Sequence, residues 1–396
     1  MPRFTTRAIL ASTRSVEVNQ VPSAVPIYQS AAFSSATAAE LGDVLTGAIP
    51  GYAYSRIDNP TTSVLADAVA ELEGAETGLA FATGMAAIHA AIVSVVRAGQ
   101  TIVATQAVYG TTRDLLVRVL GGLGVKTEFV DPTDFAAVDA ALAGTGSPAL
   151  YVETVSNPTI IVSDISALAE MAHRHGALLL VDNTFATPYA CRPIERGADL
   201  VMHSATKYLS GHADVLAGVV VGNRERVDAL RPILVDVGGA LAPLAAFLVL
   251  RGLPTLALRM DRHSETAMDL AAWLQGRDQV ERVYYPGLAD DPGHELATRQ
   301  LEVFGGMFAF ELAGGRAAGQ AFLDAMRVSE RTASLGAFRT ITSHPASTTH
   351  RQLDATALRA SGIAPGLLRC SVGLEDVDDL REDFERGLAA AGAASG

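Results

Sequence analysis

Ala177-Leu178-Leu179-Leu180-Val181, followed at once by Asp182-Asn183-Thr184, is the stretch that decides the fold. Five apolar residues in a row show neither the 3.6-residue period of a surface helix nor the alternation of a half-buried strand. Such a run suits a strand buried on both faces, and that arrangement requires helices on both sides of a parallel sheet. Similar runs lie upstream at 78–81, 101–104, 125–130 and 149–153, and downstream at 199–202. Helical patterns separate them, from Gly84, over 112–120, 135–142 and 165–175. Strands alternating with helices of 10–15 residues predict parallel strands joined by crossover helices.

The flanks differ in character. Residues 1–60 show little periodicity, are punctuated by Pro22, Pro26 and Pro50, and read as an extended arm. A long apolar helical region over 241–274 is broken by Pro254, which places a boundary after residue 253. Beyond it, strands at 307–312 and 368–372 mix with helices, and a last helix over 376–390 opens on acidic residues that suit its dipole. The expected organisation is therefore an arm (1–60), a large α/β domain (61–253) and a smaller α+β domain (254–396).

The 396 residues are 49% hydrophobic and 18% charged, which excludes a disordered chain and provides a large core. A net charge of −13 argues against nucleic acid. Two cysteines, Cys191 and Cys370, are too few for a disulfide framework or a cysteine-based metal site. The start, Met1 to Arg7, has no apolar signal core, and the apolar stretch 78–96 is interrupted by Thr83, Gly84 and His89. These features predict a cytoplasmic protein with no membrane span and no bound metal. Lys and Arg together number 30, but only Lys126 and Lys207 are lysines. A lysine kept in so arginine-rich a chain is a candidate for a site that needs a primary amine.

In an open parallel sheet, ligands bind beyond the carboxyl ends of the strands. Lys207 falls there, and an amine in that place is the group for a Schiff base with an aldehyde cofactor. Pyridoxal phosphate needs an amine, an acid for its ring nitrogen, a phosphate cup and a group on the ring face. Asp182 follows the central strand, and Thr83-Gly84-Met85 opens a helix whose N–H groups favour phosphate. Ser204 and Thr206 flank the lysine with hydroxyls, and Tyr109 lies in a strand-end loop. Taken singly, Thr83-Gly84 also reads as a helix cap, Asp182 as a turn residue, Tyr109 as a packed aromatic and Lys207 as an exposed amine. The coincidence of all of them is what points to the cofactor.

The segment Asp199-Leu-Val-Met-His-Ser-Ala-Thr-Lys207-Tyr-Leu-Ser-Gly-His212 resembles the lysine signature of the Cys/Met-metabolism pyridoxal-phosphate enzymes. That family includes cystathionine γ-synthases, cystathionine and methionine lyases and acylhomoserine sulfhydrylases. Tyr54-Ser-Arg56-Ile-Asp-Asn59-Pro60, Ala82-Thr83-Gly84-Met85, Tyr109-Gly110-Thr111-Thr112, Glu153-Thr-Val-Ser-Asn157-Pro158, Val181-Asp182-Asn183-Thr184-Phe185, Ser334-Leu335-Gly336 and Leu368-Arg369-Cys370-Ser371 match in the same order. The resemblance spans nearly the whole chain. It implies the fold type I, aspartate-aminotransferase-like architecture of pyridoxal-phosphate transferases. It implies Lys207 as the cofactor-bearing and proton-moving amine, with Asp182 on the ring nitrogen. Gly84, Met85, Ser204 and Thr206 are implied at the phosphate, Thr184 beside the cofactor, and Tyr109 stacked on the ring and transferring a proton towards the leaving group. Tyr54 and Arg56 are implied to reach the neighbouring subunit's phosphate, within a homotetramer built as a dimer of dimers with shared sites. Arg369, with Asn157, Ser334 and Glu153, is implied at the substrate.

The implied reaction is γ-elimination on a γ-substituted homoserine-type amino acid such as cystathionine or methionine, giving a 2-oxo acid, ammonia and the leaving group. γ-Replacement on an O-acylhomoserine is the alternative, and a specialised lyase with a non-sulfur leaving group is a third. Ala333, Thr111, Arg113 and Arg339 depart from common family residues at positions near the substrate. A non-catalytic nucleotide binder of the same fold class is the competing reading from outside enzymology, and no Gly-x-Gly-x-x-Gly follows the first strand to support it.

Overall fold

Leu179 and Val181 enter one hydrophobic cluster and Leu180 the other, so the central strand is buried on both of its faces. Each of these fully buried side chains is worth about 1.5–3 kcal/mol. The computed structural model describes residues 20–348 and 363–395. The sequence-based readings of residues 1–19 and 349–362 therefore lie outside the described residues.

Seven strands form the large sheet: β1 (Thr77–Phe81), β2 (Thr101–Thr105), β3 (Lys126–Val130), β4 (Ala149–Glu153), β5 (Leu178–Asp182), β6 (Leu200–His203) and β7 (Gly218–Gly222). Their spatial order is β1-β7-β6-β5-β4-β2-β3. The pairs from β6 through β3 are parallel, whereas β7 runs antiparallel to both β1 and β6. β7 was not among the six expected strands. Its reversed direction sets its first residue, Gly218, opposite Phe81 at the carboxyl end of β1. A Cβ at Gly218 would stand 2.2 Å from the Thr83 carbonyl oxygen, so only glycine lets this strand press on the turn that follows β1.

A second, antiparallel sheet holds β8 (Val280–Tyr284), β9 (Met307–Leu312), β10 (Ile341–Ser343) and β11 (Leu367–Ser371), in the order β10-β11-β9-β8. Phe308, Phe310, Phe322 and Phe384 make its core with edge and tilted ring contacts. The apolar segment 243–275 is long enough to cross a membrane by length and composition. It consists of two helices, Pro243–Gly252 and Leu256–Gln275, joined by a 3-10 turn at Leu253–Thr255 that contains Pro254. The second helix buries Met260, Ala267, Leu270, Ala271 and Leu274 in the protein.

Three sequence expectations change. The arm is not wholly extended: Ala38–Thr46 is a helix capped by Thr37 and Gly47, although none of its residues is buried. The helix expected over 112–120 begins at Gly110 and passes into a π-helical turn at Leu115–Leu120. The strand expected over 125–130 begins only at Lys126, which is exposed at the sheet edge.

Candidate active site

The helix Gly84–Val95 starts where β1 ends. Thr83 caps it by accepting the Ala86 N–H at 3.0 Å, and the Ala87 N–H goes to the Thr83 carbonyl. The Gly84 and Met85 N–H groups belong to the first turn, which has no intrahelical acceptor for them. A Cβ on Gly84 would lie 2.7 Å from Cβ of Ser204 and 2.8 Å from its Oγ. The absent side chain thus allows the first turn of the helix to meet the Ser204 hydroxyl and form a narrow cup for an anion.

Asp182 stands at the end of β5, nearly buried. Its Oδ1 accepts the Thr184 N–H at 3.0 Å and the Thr184 hydroxyl at 2.5 Å, and Tyr151 Oη lies 3.4 Å from Oδ2. Burial pushes its carboxyl above the ordinary aspartate value, against the lowering effect of Thr184. Thr184 also accepts the Ser204 N–H at 2.8 Å, which links the acid to the cup.

Lys207 lies in the turn after β6, with its N–H on the Ser204 carbonyl. Its Nζ donates to Ser334 Oγ at 3.0 Å. Burial, and then the charge of Arg369, bring the amine down from 10.5 to about 8. Arg369, on β11, reaches Asn157 Oδ1 at 2.9 Å through Nη1 and the Ser334 carbonyl at 3.0 Å through Nη2. Its Nε is buried without a hydrogen-bond partner. Glu153, at the end of β4, accepts the Tyr109 N–H at 2.6 Å and the Asn157 N–H at 3.1 Å. Burial, and next the nearby Asp182 charge, raise its carboxyl well above the usual range.

Most of the residues singled out from sequence fall into two connected groups. Lys207, Ser334, Arg369, Asn157, Glu153 and Tyr109 form one chain of contacts, and Asp182, Thr184, Ser204 and Gly84 form the other. Met85 is tied to the Tyr109 loop by a 4.0 Å contact between its sulfur and Thr112 Oγ1. The Thr206 hydroxyl is engaged with the backbone of Ala217, at 3.2 Å to the carbonyl and 3.0 Å from the N–H, and so fastens the lysine turn to the start of β7. The contacts of Tyr54 and Arg56 lie elsewhere. Arg56 stacks 5.3 Å from the Tyr54 ring and donates to the Val235 carbonyl at 2.5 Å. Glu153 contacts the backbone of two site loops, which makes it a positioning group for them.

Sequence reading overlooked several members of this region. Arg259 donates to the carbonyls of Tyr208 and Gly252, at 2.6 and 2.9 Å, and clamps the segment after Lys207. Tyr151 faces Asp182, while Glu73, Asn183 and His203 lie beneath it. For Glu73 a signal was present. It stands at i+8 from Leu65 and i+4 from Val69, an acid on the apolar stripe of its helix.

The donor set fits pyridoxal phosphate. A buried carboxylate whose direct partners are hydroxyls and an amide is matched by a protonated ring nitrogen. An amine held near pKa 8 suits an aldehyde, and the Gly84 cup suits phosphate.

The family model of the Cys/Met metabolism PLP-dependent enzymes matches residues 5–389. The L-methionine gamma-lyase of Pseudomonas putida is 45% identical over 367 residues, covering 92% of each chain. The O-succinylhomoserine sulfhydrylase of Pseudomonas aeruginosa is 40% identical, over 98% of this chain and 95% of the relative. The crystal structure of cystathionine gamma synthase from Xanthomonas oryzae pv. oryzae, in complex with aminoacrylate and cysteine, superposes with a TM-score of 0.88 at 40% identity, covering 94% of each chain. The architecture is accordingly that of fold type I, and the cofactor is pyridoxal phosphate. By sequence and by structure, the chain belongs to the Cys/Met-metabolism PLP-dependent enzymes.

Proposed function

We propose that the protein catalyses γ-elimination on a γ-substituted homoserine-type amino acid such as methionine or cystathionine, releasing a 2-oxo acid, ammonia and a thiol. The observation that carries this reading is the Lys207 amine, held at 3.0 Å by Ser334 beside the guanidinium of Arg369 and brought to about pKa 8. Pyridoxal phosphate, when bound, supplies an electron-poor ring that takes up the electron pair left as Cα loses its proton. Arg369 binds the α-carboxylate of the substrate, with Asn157 and Ser334 fixing the plane of its guanidinium. Lys207 Nζ removes the Cα proton and then moves protons along the substrate, a task for which an amine near neutral pH is suited. Tyr109, whose loop Glu153 holds from the backbone side, donates a proton to the departing sulfur. Asp182 holds the ring nitrogen protonated, and Gly84, Met85 and Ser204 bind the phosphate with Thr206 and Thr184 supporting the cup.

The arm of residues 1–60 is assigned to a neighbouring subunit's site, next to a large domain of 61–253 and a small domain of 254–396, in a cytoplasmic homotetramer. The exposure of the helix Ala38–Thr46, and of Tyr54 on the arm, supports this assignment. γ-Replacement is the second reading, favoured by the sulfhydrylase and synthase likenesses. Arg339 is paired with Glu330, whereas Arg113 stacks 4.1 Å from the Phe129 ring centroid and keeps its charge.

The test is to incubate the protein with methionine, with cystathionine, and with O-succinylhomoserine plus cysteine, assaying 2-oxobutanoate and new thioethers. 2-Oxobutanoate from either of the first two substrates supports elimination. Thioether formation without it supports replacement, and no turnover of all three overturns both. Lys207→Ala should abolish product and the visible absorbance of the bound cofactor.

A further inference from the structure

We propose that Glu73 is a positioning residue for the cofactor: one buried carboxylate oxygen staples the carboxyl ends of β5 and β6 and so fixes Asp182 relative to Ser204 and Lys207. The inference rests on the assignment of those three residues to pyridoxal phosphate. Glu73 is the last residue of the helix Pro60–Glu73 and is fully buried. Its Oε1 lies 2.7 Å from Asn183 Nδ2 and 2.7 Å from His203 Nε2. Asn183 sits between Asp182 and Thr184, and His203 immediately precedes Ser204. Both donors therefore come from the chain segments that carry the site.

The rest of the network leaves Asn183 no freedom. Its second amide proton goes to the Cys191 carbonyl at 2.8 Å, and its Oδ1 accepts the Thr154 hydroxyl at 2.7 Å. The ladder between β5 and β6 ends at Asp182 opposite Met202, with one further backbone bond from the Asn183 N–H to the Met202 carbonyl. Beyond that point side chains hold the two strand ends together. Thr184 joins them on the side of Asp182, and Glu73 joins them from the opposite layer.

Helix stability does not explain Glu73. An acid in the last turn opposes the helix dipole, and a buried carboxylate is costly unless hydrogen bonds compensate it. Glu73 Oε2 has no hydrogen-bond partner, so the single shared oxygen carries the contact.

The experiment uses the enzyme loaded with pyridoxal phosphate and compares Glu73→Gln, Glu73→Leu and His203→Leu with the parent. Visible circular dichroism of the bound cofactor reads the orientation of its ring, equilibrium dialysis reads its retention, and far-ultraviolet dichroism reads the fold. Glu73→Gln keeps an acceptor at the Oε1 position and should keep the visible signal. Glu73→Leu and His203→Leu should lower that signal at saturating cofactor and weaken retention by about tenfold, the scale for loss of one hydrogen bond to a charged group. If Glu73→Leu fails to fold, His203→Leu, which removes one arm of the staple, decides. Parental signal and retention in the leucine variants overturn the inference, as does a glutamine variant as impaired as leucine. A parent that stays colourless with added pyridoxal phosphate overturns the functional reading beneath it, whereas a coloured parent with unaffected variants overturns the staple alone.

Discussion

The ligand-free protein should take up its cofactor with a pH dependence unlike that of an ordinary lysine. Only a neutral amine attacks an aldehyde. Lys207 is shifted from 10.5 to about 8, a difference of 2.5 units, with burial the larger cause and the Arg369 charge the second. At pH 7 roughly one amine in ten is then neutral, against about one in three thousand for a solvated lysine, an advantage of about 300-fold. The assay is stopped-flow absorbance on protein stripped of cofactor and mixed with pyridoxal phosphate from pH 6 to 10.5. A lysine model compound run in parallel cancels the cofactor's own titration. The rate relative to that compound should hold at about 300-fold below pH 7 and fall through a midpoint near pH 8, above which Lys207 gains no further neutral amine while the model compound still does. Arg369→Gln should move the midpoint upward by less than burial moves it down, since the guanidinium is the lesser cause. A midpoint near 10 in the parent would refute the claim that burial has lowered this amine. A variant midpoint near 10 would refute the ranking of the causes.

Three other outcomes are expected. Gly84→Ala places a methyl 2.7 Å from Ser204 Cβ and should cost about 1–3 kcal/mol, seen as a lower Tm and faster cofactor release. Arg369→Gln should raise KM for the amino acid by about 10- to 100-fold, the loss of one charged hydrogen-bonded contact of about 1.5–3 kcal/mol. Asp383 accepts the N–H groups of Arg327, Val328 and Ser329 and pairs with Arg386. Burial raises its carboxyl, but these partners outweigh it and hold it below 3.8. Its contribution is therefore complete above about pH 4 and is lost as pH falls through its lowered value. Asp383→Asn should cost about 1–3 kcal/mol at neutral pH in a denaturant titration and narrow the stability difference from the parent in acid.

The large sheet was legible because five of its strands are continuous apolar runs followed by polar strand-end residues, and Lys207 stood out by the scarcity of its kind. β7 was overlooked because only three valines, Val219-Val220-Val221, stand between Gly218 and Gly222, and no helix separates this run from β6. β8, with Glu281 and Arg282 exposed, lacked an apolar run altogether. The two-sided role of Glu153 was invisible for another reason. Sequence shows the carboxylate but not the backbone amides of Tyr109 and Asn157 that turn towards it. Arg259 was overlooked because its grip on the Tyr208 and Gly252 carbonyls exists only once the helix Leu256–Gln275 packs against the lysine turn.

Because Glu153 holds both loops by their backbones, it places no demand on the side chains those loops display. Thr111, Arg113, Ala333 and Arg339 are all exposed. Exchanges at such positions usually change stability by no more than about 0.5 kcal/mol. Deep frame and shallow rim are thus under separate thermodynamic control. Single substitutions at this rim should therefore alter what the mouth of the site presents while leaving the fold standing.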